Sequence, residues 1–126
     1  MIAYVVHPDR FVHTSGVEVH GEWWWSPDRP AEVHLVVDSV EWVIGRDLLA
    51  EGVIGPTGKG DVRFWPWLSS LWVHLSSPHG EALLRGSLRV AEDFLERTWL
   101  ACPPRVESAR VRAALDAFLA EVGAQR

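Results

Sequence analysis

The chain predicts an α+β domain built on antiparallel sheet. Three observations say so. Apolar and polar residues alternate with period two in several short runs between residues 17 and 85. One short helical stretch interrupts them near the middle. The last third then changes to a helical period.

The elements follow in order. Val17, Val19 and Gly21 alternate with Glu18, His20 and Glu22, a strand with one wet face that runs into Trp23-Trp24-Trp25. Ser26-Pro27-Asp28-Arg29-Pro30 is a turn. Val33, Leu35 and Val37 form the next strand, and Asp38-Ser39 turns it into Val40-Glu41-Trp42-Val43-Ile44, a hairpin. Residues 46–51 predict a short helix closed by Gly52 as a C-cap. Residues 55–61 are a loop by composition. Val62-Arg63-Phe64-Trp65 opens another strand, and Pro66, with no N–H to give a ladder, places it at an edge or a bulge. Leu71, Val73 and Leu75 alternate with Trp72 and His74. Residues 76–80 turn the chain into a further strand over 81–85.

Two helices are expected next. Val90, Ala91, Phe94, Leu95 and Thr98 share one helical face, opposite Arg89, Glu92, Asp93, Glu96 and Arg97. Pro103-Pro104 ends that helix. A second runs from about 107 to 122, with a stripe of Val111, Leu115, Phe118 and Val122.

The 126 residues fit one domain, 1–126, large enough to fold without disulfides or metal. No apolar run approaches the length of a membrane span. The apolar opening is short and lacks a positive start, so it is no signal peptide. With the single cysteine, Cys102, this predicts a cytoplasmic protein. Net charge is −5. Residues 1–60 hold nine acidic and four basic side chains, which accounts for all of it; residues 61–126 hold eight of each. An acidic balance argues against nucleic acid, whose binding draws on cations releasing counterions.

No catalytic, cofactor or metal site is predicted. The loop at 55–61 superficially suggests a phosphate loop, but its spacing is short, Gly60 stands where a hydroxyl would be needed, and a strand follows instead of a helix. His7, His13, His20, His34, His74 and His79 lack ligand spacing, and a lone cysteine cannot build a zinc cluster. Asp47 and Asp61 flank the loop without an identifiable nucleophile. Asp93 and Arg97 make an ordinary helix-surface pair.

The eight tryptophans are the oddity. In a strand, neighbours in Trp23-Trp24-Trp25 must point to opposite faces. If Trp23 and Trp25 face solvent with Trp67, three indoles present roughly 600 Å² of apolar surface, about one side of a protein interface. Trp23, Trp25 and Trp67 are therefore the candidate partner anchors, since tryptophan is enriched at interface hot spots. A sheet with both faces covered is the plainer alternative.

The middle of the chain resembles a known family. The run Val40-Glu41-Trp42-Val43-Ile44-Gly45-Arg46-Asp47-Leu48-Leu49-Ala50-Glu51-Gly52 is similar to the W-x-(F/I)-x-R-D-L-L-x-x-G stretch of the SsgA-like proteins of actinobacterial sporulation and cell division. Pro56-Thr57-Gly58-Lys59-Gly60-Asp61-Val62, then Trp65-Pro66, Leu75-Ser76-Ser77-Pro78-His79-Gly80, Phe94-Leu95-Glu96-Arg97-Thr98 and Cys102-Pro103-Pro104 follow in the same order. Arg105 departs from a glycine usual in the family. Eleven arginines against one lysine fit a GC-rich actinobacterial genome.

The resemblance implies two antiparallel β-sheets with a short central helix and two C-terminal helices, like the whirly proteins, assembled as a trimer. It implies no catalysis. It implies an adaptor in sporulation septum placement, partnered by the tubulin-like GTPase FtsZ or a septum-site paralogue, located at the septum with no direct membrane insertion. Arg46, Asp47 and Asp61 join the candidate contact residues; Trp42, Leu48, Leu49, Gly52 and Pro66 are assigned to structure. Two rivals remain: a binder of single-stranded nucleic acid through stacked tryptophans, and a small-molecule enzyme, which would need a concave pocket.

Overall fold

The computed structural model describes residues 5–103 together with Asp116, Ala117 and Ala120. Its elements are β1 (Val5–His13), β2 (Glu18–Trp25), β3 (Glu32–Val37), β4 (Val40–Gly45), α1 (Arg46–Gly52), β5 (Thr57–Lys59), β6 (Val62–Trp67), β7 (Ser70–Ser77), β8 (Gly80–Ser87) and α2 (Leu88–Ala101). The sequence therefore runs through four strands and a helix twice, though no repeat in the residues announces it. The helix expected over 107–122 lies outside the described residues except for Asp116, Ala117 and Ala120, which are helical. Arg105 lies outside them as well.

The expected two sheets are corrected to one. All eight strands join an antiparallel, curled sheet in the order β4-β3-β2-β1-β8-β7-β6-β5. Each half is a meander of consecutive strands. They fuse because the end of β1 pairs with β8, Val12 opposite Arg85 and His13 opposite Leu84. A whirly-like pair of separate sheets is thereby excluded. The period-2 pattern of a strand says which face is wet but not which strand lies beside it, so this join was not legible.

Local chemistry sets the turns. Asp38 and Ser39 take φ of 49° and 68°, the left-handed values a two-residue hairpin turn requires. Gly60, at φ 62°, turns β5 into β6, so the glycine loop contains a short strand. Pro66 is tolerated because β5 reaches only as far as Phe64, leaving Pro66 with a ladder on one side alone.

Gly52 does not cap α1 in a left-handed conformation. The C-cap is Val53, at φ −76°, and Gly52 is buried within the last turn. Its bareness has a packing reason: a Cβ there would lie 2.5 Å from the Phe64 Cβ.

The core lies between one face of the sheet and the two helices. Trp23 is its centre, with ring centroids 5.9 Å from Phe94, 6.1 Å from Phe11 and 6.5 Å from Phe64. α2 covers that face with Ala91, Phe94, Leu95, Thr98 and Trp99, all but Trp99 on the stripe its periodicity predicts. Its first turn is capped by Ser87, whose hydroxyl accepts from the Val90 amide at 3.2 Å. α1 adds Leu49 and Ala50.

Candidate binding surface

The tryptophan run settles by alternation. Trp23 and Trp25 point into the core and are fully buried, while Trp24 points out. Each indole N–H has an acceptor: Asp9 Oδ2 at 3.3 Å for Trp23, Glu22 Oε2 at 2.7 Å for Trp24, and the Pro30 carbonyl at 3.0 Å for Trp25. The expectation that Trp23 and Trp25 anchor a partner is therefore corrected; they are the interior wall of the sheet. Both faces of that stretch are tryptophan, so the sequence could not choose between them.

Arg46 is corrected in the same way. It is buried at the start of α1, where its guanidinium donates to the Cys102 carbonyl at 2.9 Å and the Thr98 carbonyl at 3.3 Å. It also lies 5.6 Å over the Trp25 ring. A cation here meets the last carbonyls of α2, where a helix end carries partial negative charge. Burial lowers its pKa, opposed by the neighbouring Cys102 and the Asp47 carboxylate. Arg46 thus ties the two helices together and is not available to a ligand. Asp47 and Asp61 are exposed, on α1 and in the β5–β6 turn. Nothing brings them together with Trp67.

Trp67 is exposed, at 65% of its full surface, and Leu68 beside it reaches 83%. They form the tip of the β6–β7 hairpin, and Leu68 holds a φ of 56°. A leucine in the left-handed region costs backbone energy that glycine or asparagine would avoid. Its exposed side chain gives no packing in return. Behind the tip, on the same solvent face, Trp65 and Trp72 stack with rings 3° from parallel and centroids 6.3 Å apart. The Arg85 guanidinium sits 5.9 Å over Trp72. Trp67, Leu68, Trp65, Trp72 and Arg85 make one aromatic and cationic surface. Sequence reasoning names only Trp67 among them as a contact residue. The alternation of β6 and β7 was the signal for Trp65 and Trp72, and the apolar pair at 67–68 was the signal for Leu68.

Among the described residues no group of three or more His, Cys, Asp or Glu is placed to hold a metal. His34 contacts Glu41 and Glu32, His20 contacts Glu22, and His74 contacts Glu81, each as a local cross-strand or same-strand pair. The glycine turn at 58–60 borders Lys59 and Arg63 but feeds a strand, so it lacks the row of helix amides a phosphate needs.

The fold and surface define a small one-sheet scaffold that displays aromatic side chains from its outer face. Residues 19–107 match the model of the SsgA family, Streptomyces sporulation and cell division protein, and the chain belongs to that family. It is 54% identical over 74 residues to sporulation-specific cell division protein SsgB of Streptomyces coelicolor, a match covering 56% of this chain and 54% of that protein. The SsgB of Thermobifida fusca is 38% identical over 88 residues, covering 67% of this chain and 62% of that protein. The matches thus span between half and two thirds of these relatives.

Solved structures agree. One reported with SsgB mutations and longitudinal cell division during sporulation of Streptomyces coelicolor superposes with a TM-score of 0.78 at 40% identity, covering 82% of this chain and 90% of that one. An SsgA-like sporulation-specific cell division protein from Thermobifida fusca gives 0.71 at 29% identity over 96% and 95%. These relatives support a role in sporulation cell division. No helix among the described residues is long and apolar enough to cross a membrane.

Proposed function

We propose that this protein is a non-enzymatic adaptor in sporulation-specific septum placement, which recruits or positions FtsZ or another division protein at the septum. The observation that carries the reading is the hairpin tip. Trp67 and Leu68 are large, apolar and exposed on a strained turn, and a chain gains nothing from that arrangement in isolation. Trp65 and Trp72 extend the contact area behind them. The family relationship supports the biological setting.

The protein acts as a homo-oligomer. Several copies of a modest contact surface then engage a polymer with avidity, without any single strong site. The test is sedimentation with FtsZ assembled on GTP, against a GDP control. Saturable co-pelleting that Trp67→Ala removes supports the reading. No co-pelleting at tens of micromolar excludes direct recruitment of FtsZ and turns the search to another septal protein. Binding of single-stranded nucleic acid remains the rival for the same tryptophans; it predicts affinity that falls steeply with salt.

A further inference from the structure

The two edges of the sheet are treated differently. β5 is three residues long, follows Pro56 and carries Gly58 and Lys59. Short length, proline and lysine are the devices by which edge strands avoid pairing with other chains. β4, at the far end, has none of them. It is six residues, Val40-Glu41-Trp42-Val43-Ile44-Gly45, without proline or lysine. Val40 is 53% exposed and Val43 58%.

The register shows what this edge offers. Val37 and Val40 flank the two-residue turn and face each other, so Val40, Trp42 and Ile44 direct their amides and carbonyls to β3. The next bond in that series, from the Arg46 amide to the Ala31 carbonyl at 2.8 Å, confirms the parity. Glu41 and Val43 therefore direct theirs outward. Among the described residues no strand pairs with β4 on that side.

The surroundings are acidic. Residues 11–45 hold six carboxylates and one cation, Arg29, which pairs with Glu32 at 3.7 Å. Glu41 lies on β4 itself, and Glu22 and Glu32 share its face of the sheet through the register. Val43 lies opposite His34, which holds Glu32 and Glu41. A strand added here would set its side chains beside Glu41 and Val43.

We infer that β4 is a docking edge for an extended segment of another protein, one that carries basic side chains at alternate positions. Main-chain bonds to Glu41 and Val43 supply the pairing, and the carboxylates select the charge. Trp67 lies at the tip of the β6–β7 hairpin and Glu41 and Val43 on the β4 edge, so the two sites share no residue and this one does not depend on what binds at the tip.

The probe is a capped peptide of alternating valine and lysine, seven residues long, with a valine–glutamate twin as control. Hydrogen exchange and amide chemical shifts are followed in the full chain. The valine–lysine peptide should titrate the Glu41 and Val43 amides saturably and slow their exchange about tenfold. The glutamate twin should leave them unchanged. Val43→Pro removes an outward N–H and no β3 ladder bond, so it should abolish the titration while unfolding stays cooperative. Glu41→Lys should reverse the preference between the two peptides. The inference is overturned if the two amides are already protected in the free protein, if neither shifts with the peptide, or if binding survives Val43→Pro. FtsZ co-pelleting by the Val43→Pro protein reads the tryptophan tip separately.

Discussion

The Trp23 indole donates its only hydrogen bond to the Asp9 carboxylate, 3.3 Å away and fourteen residues earlier in the chain. Asp9 is buried at the seam between β1 and β8, where a Cβ on Gly86 would lie 2.9 Å from Oδ2. It also accepts from the Arg10 amide at 2.8 Å and from the Ser87 backbone. The carboxylate thus does the joining where the β1–β8 ladder is short. Removing it with Asp9→Ala leaves the Trp23 N–H buried and unsatisfied, a cost of about 1–3 kcal/mol. Urea or thermal unfolding measures it directly.

The same carboxylate gives a pH dependence. Burial raises its pKa above the usual 3.8, outweighing the hydrogen bonds from Trp23, Ser87 and Arg10 and the charge of His7, which lower it. The folded state therefore binds the proton more tightly than the unfolded chain. Its contribution to stability is full below the usual carboxylate value and declines as pH rises through the raised one. Asp9→Asn has no such titration. The stability of the natural protein relative to Asp9→Asn should fall as pH rises across that window and be level above it. A relative stability that rises with pH would contradict the assignment.

Arg46 predicts a graded series. Arg46→Ala uncovers the Thr98 and Cys102 carbonyls and the face of Trp25, and should lower stability by about 2–4 kcal/mol. Arg46→Lys keeps the charge near the end of α2 but loses the planar guanidinium, which lies over Trp25 while its Nη1 donates to both carbonyls, so it should recover only part of the loss. Equilibrium unfolding of the three proteins decides this. Equal stability for all three would mean that the helices do not depend on this tie.

How much was legible follows from where the partners lie. β2, β3, β4, β6 and β7, α1 and the buried stripe of α2 were readable because their patterns are local. β1 was not, because its inward positions include Asp9 as well as Phe11. A carboxylate breaks the apolar alternation unless Trp23 is known to meet it. Arg46 stood among the candidate contact residues because its acceptors are 52 and 56 residues away, beyond any local pattern. The tryptophan run was ambiguous because both of its faces carry the same side chain. Of the three candidate tryptophans Trp67 alone is exposed, and its neighbour Leu68 sits outside any alternating run that would mark it.

Gly52 separates helix propensity from packing. In an open helix, Gly→Ala should stabilise by about 1 kcal/mol. Here the new Cβ meets the Phe64 Cβ at 2.5 Å and Cγ at 3.0 Å. Phe64 is buried in the aromatic core and cannot retreat. Gly52→Ala should therefore destabilise, by about 1–3 kcal/mol. Chemical denaturation reads the sign. A more stable Gly52→Ala protein would show that α1 can lift from β6.

Leu68 gives the sharpest test of the tip, because stability and binding should move in opposite directions. Its φ of 56° suits asparagine better than leucine, and its side chain is almost wholly exposed. Leu68→Asn should therefore stabilise the fold by about 0.5–1 kcal/mol. It also removes the apolar tip, so co-pelleting with assembled FtsZ should weaken along with that of Trp67→Ala. Trp67→Ala should change stability by less than about 0.5 kcal/mol, since that indole packs against little. A purely structural role for residue 68 would instead leave binding intact or reduce it only with stability. A protein that unfolds at higher temperature and binds less would show that the leucine is kept, at a conformational cost, for contact with another molecule.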